Sequence, residues 1–206
     1  MYFNFNLIKN LHRIIFFFLM IISIYTYAQI PSDFRIEKDT LLSKIEKYET
    51  LVYNASAYIL SRPLDEKSAK FISESKIVKS WLEGKNGYGI PLGGRFYHSL
   101  SNTHHQQYLY SVAIANYMLD QKLNFNRVLN CSITENQIYR EQEDVKEVRL
   151  KAAELFLEYA KKSKNKVKLR NVTKKFLKSY KKGEFEIAFF KYYGGEKLLS
   201  KTEHLK

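Results

Sequence analysis

Three histidines, His98, His104 and His105, fall within eight residues of one another, and Arg95 and Tyr97 lie just ahead of them. Together they place an anion donor, an amphipathic ring and titratable imidazoles on one stretch of chain. They close a run, residues 84–99, that reads Gly-Lys-Asn-Gly-Tyr-Gly-Ile-Pro-Leu-Gly-Gly-Arg-Phe-Tyr-His-Ser and holds five of the eight glycines. Glycine lets backbone approach a ligand closely, and loops held between helices commonly carry binding groups. One reading is therefore a small enzyme or ligand receptor built on residues 84–105, using Tyr88, Arg95, Tyr97, His98, His104 and His105. In it Arg95 holds an anion and His98 moves protons. The plainer reading is a compact connection pinned to the core by Tyr88, Ile90, Leu92 and Phe96.

Most metal and hydrolytic chemistry finds no support here. His104 and His105 are adjacent, about 100 degrees apart on a helix, so they do not converge on one ion. No Asp or Glu occurs between residues 84 and 119 to complete a ligand set or orient a histidine base. His-Glu-x-x-His, Gly-x-Ser-x-Gly and Gly-x-Gly-x-x-Gly are all missing from the sequence. The single Cys131 rules out an intramolecular disulfide framework and reads as a small buried hydrophobe. No metal site and no cofactor is expected, and whether the chain is an enzyme stays open, with a non-catalytic role favoured.

The second chemical signal is charge. The 34 Lys+Arg against 21 Asp+Glu leave a net +13. Residues 161–182 contain eleven Lys or Arg and no acid, and Lys9 and Arg13 near the N-terminus account for the other two. At about 100 degrees per residue, residues 169–182 place Leu169, Val172, Phe176, Leu177 and Tyr180 on one arc. Arg170, Lys174, Lys175, Lys178, Lys181 and Lys182 fall on the opposite one. Such a helix is either a docked surface helix with solvated lysines or an anion-binding face. The fitting partners are an anionic envelope component, an anionic lipid surface met peripherally, or an acidic protein. Nucleic acid is not expected, because Phe176 and Tyr180, the aromatic rings needed for stacking, sit on the core arc.

The elements that must carry these groups are helical. Leu41, Ile45, Tyr48, Val52, Ala55 and Ile59 recur at helical spacing, and Pro63 stops that helix near Ser61. A second helix is expected from an N-cap at Asp65 through Phe71, Ser75, Val78 and Leu82, ending at Gly84. Residues 108–119 are apolar on every side and should be the most buried element. Thr134 and Gln137 have the spacing of a capping box. They precede a long helix whose faces carry Val145, Val148, Ala152, Leu155, Phe156 and Tyr159, and Leu150 and Leu157. Two shorter helices, 169–182 and 184–193, flank Gly183. Neither alternating strands nor a repeat period is present. The expected fold is an all-α single-domain bundle of five or six helices, with the glycine-rich loop between the second and third.

Residues 1–28 read as a cleaved secretory signal peptide. They combine Lys9 and Arg13, an eleven-residue apolar run at 14–24 and the ending Thr26-Tyr27-Ala28. That run is short of the ~20 residues needed to span a bilayer, so cleavage after Ala28 is preferred to an uncleaved anchor. The domain is then 29–206, exported to the periplasm or outer envelope.

The order Ala57-Tyr58-Ile59-Leu60-Ser61-Arg62-Pro63-Leu64, then Trp81-Leu82-Glu83-Gly84, then the apolar 108–119 helix, resembles an uncharacterised family of small exported helical proteins of Bacteroidetes. The likeness spans about residues 57–123. It implies export and a helical fold, and brings no activity or site residues with it. Together these features predict a non-catalytic exported binding or structural protein with a basic, anion-facing helix. A ligand receptor or enzyme on residues 84–105, or a helical scaffold for protein partners, are the alternatives.

Overall fold

Helix 1 is amphipathic because Val52, Ala55 and Ile59 recur every three or four residues, and in the computed structural model all three are buried. The structure describes residues 48–84, 86–101, 105–135 and 137–191. The expected signal peptide at 1–28, the expected start of the first helix at Leu41 and Ile45, His104 and the expected end of the last helix at Tyr193 lie outside the described residues. Seven α-helices and no strand are found among the described residues, all of which fall in one compact unit of an all-α bundle.

These are α1 (Glu49–Ser61), α2 (Ala69–Glu83), α3 (Gly94–Ser99), α4 (Gln106–Phe125), α5 (Glu143–Lys161), α6 (Asn171–Lys181) and α7 (Phe185–Lys191). The helix beyond the expected five or six is α3, a short turn at the end of the glycine-rich run. As its all-round apolarity requires, α4 is the centre: it packs on α1 and α5, while α2 covers α1 and α6 pairs with α7. Leu109, Tyr110, Val112, Ala113, Ile114, Ala115, Met118 and Leu119 are all buried in it.

Three local expectations are corrected. The cap of α2 is Ser68, whose hydroxyl accepts from the Phe71 N–H at 3.3 Å. Asp65 instead turns its carboxylate to the Lys67 N–H. Thr134 and Gln137 cap nothing: α5 begins at Glu143, with Glu143 and Asp144 favourably placed in its first turn. The Thr134 hydroxyl accepts from the Gln142 side chain, which holds the preceding connection to the helix start. Finally, Val172 is not on the buried arc of α6 but 42% exposed, and Thr173 is fully buried there.

Gly183, at φ +76°, ends α6 in a Schellman turn. Its N–H reaches the Tyr180 carbonyl and that of Glu184 reaches Ser179. The chain thereby reverses and lays α7 along α6.

Candidate functional site

The glycine-rich run leaves α2 through Asn86, whose buried amide donates to the Trp81 carbonyl and accepts from the Tyr88 N–H. The Tyr88 side chain turns inward and its hydroxyl donates to the Glu49 carboxylate, which also holds Lys122 at 2.8 Å. Glu49 is 2% exposed. Burial first, and the bond to Glu49 second, push the Tyr88 phenol up to about 12. Burial works against the Lys122 ammonium, but Glu49 and Tyr88 overcome it and hold the amine above its ordinary range. Gly89, at φ +69°, then passes so close to another segment that an added Cβ would lie 2.4 Å from the Cys131 carbonyl oxygen. The Cys131 N–H is bonded to the Tyr88 carbonyl. Burial first and the Asp144 charge second raise the thiol to about 12. From α5, the buried Arg149 donates to the carbonyls of Pro91 and Leu92 at 3.1 and 2.9 Å. Of the four residues expected to pin this run, Tyr88 and Phe96 are buried, Ile90 is half-buried and Leu92 is exposed.

Phe96 in α3 is the ring on which the C-terminal half converges. It packs against Tyr110 of α4, Phe156 of α5, Phe176 of α6 and both Phe185 and Phe189 of α7, with centroids 5.3–6.1 Å apart. Because Phe96 points inward, its neighbour Arg95 stands at the surface against the α6–α7 pair. There Arg95, Lys175 and Lys191 line a cleft of about 440 Å³, together with Glu184, Val172, Phe176, Ile187 and Ala188. Ile187 is 74% exposed on its wall.

On the basic helix the cations stand on the solvent side, as the wheel implies. Arg170, Lys174, Lys175, Lys178, Lys181 and Lys182 are all exposed, and none forms an ion pair among the described residues. The opposite side is anchored by Phe176 and by the Thr173 hydroxyl, which donates to the Ser99 carbonyl at 2.7 Å. At its flank the Tyr180 hydroxyl donates to Glu158, which also pairs with Lys161. The α5 carboxylate thus neutralises one edge of the block and leaves the outer face cationic.

The histidines and tyrosines of the receptor reading go to different places. Tyr88 is inside the bundle on Glu49, and Tyr97 is half-buried against Tyr110. His98 is exposed beside Tyr97. His105, at φ +52°, puts Nε2 2.6 Å from Glu66 and lines a second cleft of about 350 Å³ with Leu64, Phe71, Ile72 and Tyr108. Among the described members of the set, Arg95 is the one that lines the cleft with the basic helix, a meeting of two signals that the sequence does not predict. Glu49, Arg149 and Thr173 are the polar residues that sequence reasoning missed. Among the described residues no three His, Cys, Asp or Glu are grouped to hold a metal, and no helix is long and apolar enough to cross a membrane. Comparison of the chain with protein-family models, with curated proteins and with solved structures gives no match.

Proposed function

We propose that the protein is an exported, non-catalytic binding component of the cell envelope that meets an anionic partner through the outer face of α6. The observation that carries this reading is the exposure of six cations, four on α6 and one at each of its caps, with no ion pair among the described residues. Solubility does not require such one-sided charge, whereas recognition of a polyanionic surface does. The dispersal of Tyr88, His98 and His105 to separate surroundings favours this reading over a proton-transfer site on residues 84–105. The address rests on the leader-like residues 1–28, and a periplasmic or outer-envelope location belongs to the same proposal.

Co-sedimentation of the purified protein with isolated envelope fractions tests the reading. Binding should fall steeply between low and high salt, since exposed charges are screened beyond ~8–10 Å at physiological ionic strength. Substituting Lys174, Lys178 and Lys181 by Gln should abolish the salt-sensitive part. Binding that ignores both salt and these lysines would overturn the assignment.

A further inference from the structure

The cleft between α6 and α7 combines two features that a merely solvated helix would not bring together. Three cations, Arg95, Lys175 and Lys191, reach it from three helices. Among the described residues Glu184 is the one acid on its wall, so the described rim is net cationic. Apart from these charges and Ser179, its described lining is apolar: Phe176 forms part of the buried aromatic cluster, while Val172 and Ile187 stand 42% and 74% exposed. A large aliphatic side chain left in water beside a cationic rim is a cost that an apolar ligand group removes. The volume, about 440 Å³, lies within the range of small-molecule sites, roughly 300–1,000 Å³.

We propose that this cleft binds a single-chain anionic amphiphile. The alkyl chain lies over Phe176, Val172 and Ile187, and the acidic head group is held by Arg95, Lys175 and Lys191. A bare inorganic anion would leave Val172 and Ile187 uncovered, and a neutral chain would leave Lys175 and Lys191, which form no ion pair among the described residues, without a counter-charge. An acidic peptide meets the charges but offers no continuous chain to the apolar wall. The inference deepens the anionic-partner reading of α6 by naming a ligand chemistry, and it uses residues separate from Lys174, Lys178 and Lys181 on the outer face.

Calorimetric titration of the purified protein with octyl, decyl and dodecyl phosphate below their micellar concentrations tests it. Laurate and lauroyl lysophosphatidylglycerol serve as the free-acid and lipid forms of the same chemistry, with inorganic phosphate and dodecyl maltoside as single-feature controls. Affinity should tighten about three- to fourfold per added methylene, as expected for transfer of each from water to an apolar wall. Phosphate alone and the maltoside should bind at least tenfold more weakly than dodecyl phosphate. Arg95→Ala and Ile187→Glu change exposed side chains, and each should cost tenfold or more with the melting temperature unchanged. The Lys174, Lys178 and Lys181 triple Gln variant should bind dodecyl phosphate within about threefold of the parent protein.

Absence of binding, affinity indifferent to chain length, or equal binding of the maltoside would overturn the proposal. If salt-sensitive envelope association persists in that case, the outer-face reading stands and only the cleft assignment falls. Tight amphiphile binding with no envelope association gives the reverse. A preference for laurate over the lysolipid, or the opposite, decides which source of the amphiphile the cleft accepts, and each supports the proposal.

Discussion

Tyr88, Glu49 and Lys122 form a buried polar joint between α1, the glycine-rich run and α4, and its protonation state is tied to folding. The folded-state pKa values of Tyr88 and Lys122 are both raised. Their contribution to stability is therefore complete below the unfolded values near 10 and is lost as pH rises toward and beyond 12. Urea unfolding across pH 8–12 should show stability falling above about pH 10. In Tyr88→Phe that fall should be shallower, and at neutral pH the variant should be less stable by about 1–3 kcal/mol, because a buried carboxylate loses a donor. The joint was only half legible in the sequence. Glu49 lies four residues after Ile45 and three before Val52, squarely on the apolar stripe. Arg149 has the same relation to Val145 and Ala152, and Thr173 to Leu169 and Phe176. A stripe traced through apolar residues alone passes over a polar residue at a stripe position, yet such a residue is obliged to find a partner inside the bundle.

The elements were legible where periodicity or backbone geometry dictates them, as in the all-apolar α4 and the reversal at Gly183. They were not where two residues compete for one task. Ser68 and Asp65 both precede α2, and the choice goes to the serine because Asp65 closes its own turn on Lys67. The glycines of these connections differ in what they do. Gly183 faces open space at positive φ, so Gly183→Ala should cost about 1–2 kcal/mol, the left-handed penalty alone. Gly89 combines positive φ with backbone contact against Cys131, which no rotamer change relieves. Gly89→Ala should lose clearly more than Gly183→Ala, about 3 kcal/mol or above, since the segment must also shift. Thermal melts of the two variants side by side check the order, and equal losses would mean that the contact relaxes freely.

At the scale of the molecule the charge layout sets stability against the recognition proposed for the basic face. Eleven basic residues without an acid in 161–182 repel one another, and Lys174 and Lys175 stand near the N-terminal end of α6, where cations oppose the helix dipole. Added sodium chloride should therefore raise the melting temperature. A variant with Lys174, Lys175 and Lys178 replaced by Gln should melt higher in low salt and respond less to it, while losing the anion binding proposed for this face. That pairing of gain and loss marks residues kept for an interaction. The same wheel that exposed this face could not reveal the cleft, because Arg95 is 80 residues from Lys175 and tertiary packing, the Phe96 cluster and the Thr173–Ser99 bond, brings them together. The seam where Gly89 crosses Cys131 has a kinetic consequence of its own. The one thiol of the chain belongs to the buried residue at that crossing, and burial pushes it up to about 12, so alkylating reagents should reach it when this part of the bundle opens. Its labelling rate is thus a clock for the opening of the bundle, and while the clock is stopped the protein offers no sulfur for exchange with the disulfides of its neighbours.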